Sequence, residues 1–200
     1  MGIEGMSSAA RPDRVLVAMT GATGAILGVR LLERLKEFDV ERHLIVSSWG
    51  ARTLLHETDL DLDDVRSMAD VTYKITDLGA AVSSGSFITR GMIVVPCSVR
   101  TLAAIASGVT GDLISRAADV TLKERKPLIL MVRESPLNMI HLENLIKVSR
   151  AGAHIVPPMI AFYGRPTTVD QLVDHIVTRA LDQVGLHSDA TPRWDGELGI

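Results

Sequence analysis

The sequence predicts one α/β domain built in three layers, a parallel β-sheet with helices on both faces. Three observations predict it. Short Val- and Ile-rich runs alternate along the chain with segments of helical period. The runs are continuously apolar, as strands buried on both faces are, and do not alternate apolar with polar residues. Neither a repeat nor a linker breaks the 200 residues, a length able to bury its own core.

The first strand is read at Arg14 to Met19, RVLVAM, and ends at Thr20-Gly21. From Gly24 the period changes: Ile26, Val29, Leu32 and Leu35 recur every three residues with charges between them, which predicts a helix. Between strand and helix, Gly21-Ala22-Thr23-Gly24 permits a tight turn and leaves the first N–H groups of the helix for an anion. Arg42 to Ser47 reads as a second strand, followed by Ser48-Trp49-Gly50 and a helical run through Leu54, Leu55 and Glu57, and the charged segment Asp59 to Asp70 gives one more helix. Thr76 to Thr89 is rich in small and hydroxyl residues and matches neither period, so it is expected to be a loop able to wrap a ligand. Met92 to Val95 is the third strand, ending in Pro96-Cys97-Ser98, and Thr101 to Ala106 opens the next helix. Asp112 caps a helix running to about Lys126, Leu128 to Val132 is the fourth strand, and Asn138 caps a helix to about Arg150. Ile155-Val156 is the fifth strand, and Val169 to Val184 the last long helix. Residues 1–13 are expected to be disordered, residues 14–186 to form the domain, and the tail 187–200 to pack on the site or on a neighbouring subunit.

Composition narrows the function. A net charge of −3 argues against nucleic acid as the main partner. Cys97 is the single cysteine, which excludes an internal disulfide and a cysteine zinc site. No apolar run approaches the roughly 20 residues of a membrane span, and the first residues lack a signal-peptide core, so the expectation is a cytoplasmic protein. A positive mean hydropathy of +0.23 predicts apolar patches that oligomerisation would cover.

In a parallel sheet ligands sit at the carboxyl ends of the strands, and the informative residues fall there. Gly21, Ala22 and Thr23 follow strand one, Ser47 follows strand two, Ser98, Val99, Arg100 and Thr101 follow strand three, and Arg133-Glu134 follow strand four. Glycines, hydroxyls and an arginine at one edge suit a phosphate-bearing cofactor with an aromatic ring system. The turn lacks the full dinucleotide fingerprint, the Gly-Lys-Ser/Thr of a P-loop and an acid placed for a ribose, which counts against a nicotinamide oxidoreductase. A second polar group comes from Arg116, Asp119 and Lys123, which share one helix face, and with Arg133, Glu134, Tyr163 and Arg179 they would make a cationic pocket for phosphate. Taken alone, that helix face reads more readily as a solvated one.

Taken together, GATGA at 21–25, SSGSF at 83–87, PCS at 96–98 and the string from Arg116 to Tyr163 resemble the UbiX/Pad-type flavin prenyltransferases, over about residues 14–195 and including the ending Pro192-Arg193-Trp194. The resemblance implies a Rossmann-like or flavodoxin-like protomer in a homo-oligomer, usually a dodecamer, with FMN between subunits. The reaction it implies joins a dimethylallyl group from dimethylallyl phosphate to reduced FMN, at N5 and then C6, without a metal, and the prenylated FMN passes to a UbiD-type decarboxylase. Carried over, the FMN contacts fall on Gly21, Ala22, Thr23, Ser47, Ser98, Val99, Arg100, Thr101 and Arg133. Contacts to the prenyl donor fall on Tyr163, Arg179, Ser84, Gly85 and Trp194, and the catalytic roles on Glu134, Glu57, Arg116 and Lys123. Glu134 is expected to be buried among the cations. Thr23 stands where the family has Ser, Ser48-Trp49-Gly50 replaces a charged-Ala-Ala sequence, and Leu78 occupies the place of a Trp found in certain members. A non-catalytic FMN-binding subunit of an aromatic-acid decarboxylase remains the alternative.

Overall fold

Apolar runs in a parallel sheet hydrogen-bond on both sides, so their order across the sheet decides where a crevice opens. The computed structural model describes residues 12–189, 191–194 and 196. It contains six strands, β1 Arg14–Met19, β2 Glu41–Val46, β3 Val71–Tyr73, β4 Gly91–Cys97, β5 Leu128–Val132 and β6 His154–Ile155. All pair in parallel, in the order β3-β2-β1-β4-β5-β6, that of a doubly wound Rossmann-type sheet. Seven helices connect them: α1 Ala25–Leu35, α2 Ser48–Glu57, α3 Leu62–Ser67, α4 Val99–Ser107, α5 Leu113–Lys123, α6 Met139–Arg150 and α7 Val169–Asp182.

Strand alternation divides the core in two. Val15, Val17 and Met19 of β1 point to the face covered by α1, α2, α3 and α7, while Leu16 and Ala18 point to the face covered by α4, α5 and α6. Both faces are dry, so the middle strands carry no polar alternation.

The expected elements hold apart from shifted ends, as at α3 (Leu62–Ser67 against Asp59–Asp70) and β6 (His154–Ile155 against Ile155–Val156), and four differences with a physical reason. A strand was not anticipated at Val71–Tyr73, which is only three residues long, half-exposed and at the sheet edge, too short for a period to show. β4 runs on through Pro96 to Cys97 with a register shift against β5, because Pro96 has no N–H to give the ladder. α5 stops at Lys123, three residues early, where Arg125 takes a positive φ of 54°. In α1 the three-residue ladder misplaces Ile26, which is exposed; a true 3.6 period buries Ala25, Gly28, Val29 and Leu32 with Leu31 and Leu35. The caps proposed at Asp112 and Asn138 are present, each accepting a hydrogen bond from the third residue of its helix. The expected disorder of residues 1–11, and positions 190, 195 and 197–200 of the tail, lie outside the described residues.

Candidate functional site

After β1 the chain turns to β2 and β3, and it returns at β4 on the other side of β1. The loops leaving β1 and β4 therefore diverge, and a crevice opens between them at the carboxyl edge. Thr20, buried at its floor, ties the two strands together: its hydroxyl donates to Pro96 O at 2.8 Å and accepts from Ser98 N at 2.8 Å. The cleft above is about 580 Å³ and is lined by Gly21, Ser47, Trp49, Ser98, Arg100 and Thr101 among others. Gly21 is required here because a Cβ on it would lie 2.5 Å from Trp49 Cβ, so the turn after β1 and the start of α2 touch backbone to side chain.

Two helix starts face this cleft. Ser47 caps α2 and accepts from Gly50 N, and Ser98 caps α4 and accepts from Thr101 N. The amides of Ser48, Trp49, Val99 and Arg100 have no hydrogen-bond partner among the described residues, which leaves them for an anion. The start of α1 behaves differently. Gly24, at φ 99°, ends the turn, and Glu57 at the end of α2 accepts from Gly24 N at 2.8 Å and Ala25 N at 2.9 Å. The anion expected at that helix start is thus an internal carboxylate. Burial pulls the Glu57 pKa upward, but the Thr23 hydroxyl, the two amides and the charge of Arg133 outweigh it and hold it below the usual carboxylate range.

The other expected site residues fall into two further groups. Arg133 and Glu134 follow β5 at the same edge, with Arg133 N donating to Cys97 O. Glu134 is exposed, not buried among cations as expected, because β5 ends at Val132 and the chain has already left the sheet; its Oε1 accepts from Ser135 N. Arg116 pairs with Asp119 along α5, and Lys123 with Glu124 beside the turn into β5, which places Lys123 at the amino edge of the sheet. Ser84 and Gly85 reach this amino edge as well: a Cβ on Gly85 would meet the Lys123–Glu124 pair. Tyr163, Arg179 and Trp194 gather on the outer side of α7. The Tyr163 ring sits edge-on to His175 at 5.4 Å and to Trp194 at 5.9 Å, and Asp182 holds Arg179 and Arg193. One protomer therefore does not assemble the single cationic pocket that the sequence suggested. His175 was missed because a lone histidine on a helix gives no signal. Burial, and then the charge of Arg179, lowers its pKa.

Cys97 is fully buried, and burial pushes its thiol up to about 12, so it is no nucleophile. Among the described residues no three His, Cys, Asp or Glu side chains gather as metal ligands would, and no helix is long and apolar enough to cross a membrane.

Comparison with known proteins agrees with this fold. The flavoprotein family model matches residues 5–181. A probable UbiX-like flavin prenyltransferase of Bacillus subtilis is 54% identical over 92% of this chain and 90% of its own length. The crystal structure of AnUbiX (PadA1) in complex with FMN and dimethylallyl pyrophosphate is 51% identical, with a TM-score of 0.92 over 94% of this chain and all of that one. A dodecameric FMN-dependent UbiX-like decarboxylase from Escherichia coli O157:H7 is 51% identical, with a TM-score of 0.90 over 92% of this chain and all of that one. The chain belongs to the flavoprotein family and, within it, to the UbiX-like flavin prenyltransferases.

Proposed function

We propose that this protein transfers a dimethylallyl group from dimethylallyl phosphate to reduced FMN, at N5 and then at C6, and that the product serves a UbiD-type decarboxylase. The observation that carries the reading is the carboxyl-edge cleft, where two helix starts with unpartnered amides face one space of about 580 Å³. Those amides suit the phosphate of FMN, and Thr20 and Gly21 at the β1 turn border room for its ring system. The start of α1 does not take that phosphate, because Glu57 already fills it.

Bound there, reduced FMN supplies the electron-rich ring edge that takes the prenyl group. The rest falls to side chains. Departure of the donor phosphate builds negative charge, and Arg116, Lys123, Arg133 and Arg179 would stabilise it. Glu134 holds or returns a proton at the phosphate or the ring edge, a role its exposed carboxylate in the protomer allows. Glu57, clamped by the Thr23 hydroxyl and two amides, holds the turn after β1 in place. Tyr163, Trp194, Ser84 and Gly85 contact the donor.

Bringing the amino-edge group and the α7 group to the cleft requires more than one chain. An apolar surface suited to that purpose exists: Met139, Ile140 and Ile146 of α6, with Met159, Ile160 and Phe162, are all exposed. We therefore assign the active form as a homo-oligomer with FMN between subunits, on the pattern of the dodecameric relative. Incubation with reduced FMN and dimethylallyl phosphate, followed by mass spectrometry of the flavin, tests the reaction. The mass of prenylated FMN is expected; bound but unmodified FMN would leave a binding subunit instead.

A further inference from the structure

Phe87 closes the SSGSF stretch, yet neither the cleft nor the donor groups use it. Its ring is half-buried and is held from two sides. The Arg14 guanidinium lies 4.6 Å over its face, and the His43 ring meets it edge to face at 73°, the two ring centres 5.3 Å apart. Both partners are themselves fixed. Arg14 Nε donates to Glu41 at 2.7 Å and its Nη1 to Ile88 O, the carbonyl next to Phe87. His43, almost wholly buried in β2, shares a 2.8 Å hydrogen bond with the Tyr73 hydroxyl and stacks on that ring, while Glu41 lies 3.2 Å from its other nitrogen. A polar and aromatic network across β1, β2 and β3 thus ends in one ring that belongs to a loop.

From this geometry we infer that Phe87 is the positioning residue of the Ser84–Ser86 loop, holding Gly85 against Lys123 so that the loop presents a fixed face to the prenyl donor. The inference rests on the function proposed above for its consequence in catalysis, though not for its structural content. Val82 seats the start of this stretch in the core, and Ser84 N to Ala81 O and Phe87 N to Ser84 O shape its turns, but beyond Val82 the Phe87 ring is what packs it on the sheet: the Ser84 and Ser86 hydroxyls bond to each other, and both residues are exposed. Without the ring anchor those three residues sample other positions, and donor capture weakens while the flavin cleft, on the opposite sheet edge, is untouched.

The test uses the FMN-loaded oligomer carrying Phe87→Ala, with Phe87→Leu as a milder change that keeps an apolar side chain but removes the face that Arg14 covers. Hydrogen exchange of residues 83–88 is measured together with KM for dimethylallyl phosphate, kcat and FMN affinity. Faster exchange in that segment is expected, with KM raised about tenfold, kcat at saturating donor within about threefold and FMN affinity unchanged. Phe87→Tyr, which keeps the ring, should restore wild-type values. Exchange and KM unchanged in both variants would overturn the inference, as would a parallel fall in FMN affinity and kcat that marks general damage. Wild-type protein that makes no prenylated flavin, while Phe87→Leu still loosens residues 83–88, would remove the proposed function and leave the anchor standing.

Discussion

Glu134 carries the sharpest single-residue prediction. Its exposure in the protomer means that Gln can replace it without leaving a buried group unsatisfied, so any loss reports chemistry and not folding. Glu134→Gln is expected to bind FMN normally and to form prenylated FMN about 10²-fold more slowly in single turnover at saturating donor, the usual scale for a lost proton-transfer group. Arg179→Ala should instead raise KM for the donor. Wild-type rates for Glu134→Gln would remove its catalytic role. At this scale the sequence was legible at several strand ends, where Gly21, Ser47, Ser98 and Thr101 line the cleft, but not after β5, where Glu134 is exposed. It was not legible where two distant residues meet. Nothing in the string announces that Glu57 reaches back 33 positions to Gly24, or that Phe87 lies under Arg14, because such pairs depend on how elements pack.

Elements were the most readable level, since period and caps are local. β1, β5 and α6 fall where the apolar runs and the Asn138 cap put them. β3 did not show because three half-exposed residues at an edge carry no pattern. The packing of one element on another gives a prediction of its own. Gly21 admits α2 against the end of β1, and an added methyl would lie 2.5 Å from Trp49 Cβ, a clash that only movement of α2 relieves. Gly21→Ala should fold, lower the urea midpoint by the equivalent of about 1–3 kcal/mol, and weaken FMN affinity by about tenfold or more, since the Ser48 and Trp49 amides move with the helix. Equilibrium unfolding with flavin fluorescence titration on the same preparation checks both. Unchanged FMN affinity would show that the start of α2 does not contact the cofactor.

For the whole molecule, the exposed apolar residues of α6 and the 159–162 segment lead us to expect a stable assembly many times the 21.6 kDa of one chain. Light scattering at micromolar concentration checks this, and a stable monomer would count against it. Sequence pattern reached this level only in outline: mean hydropathy hinted at covered patches, but which residues form them depends on the fold. One feature of the protomer has a genetic corollary. The amides facing the cleft lie at the carboxyl edge of the sheet and Lys123 at the amino edge, so on the proposed reading each complete site is stitched from separate polypeptides. Two alleles impaired at limiting FMN, Gly21→Ala in one chain through weakened flavin binding and Lys123→Ala in the other, should then rescue each other when co-expressed and assayed at that FMN concentration, because some mixed sites receive both sound halves. Neither allele alone regains activity, and a co-expressed pair as impaired as its parents would mean that every site is built within one chain.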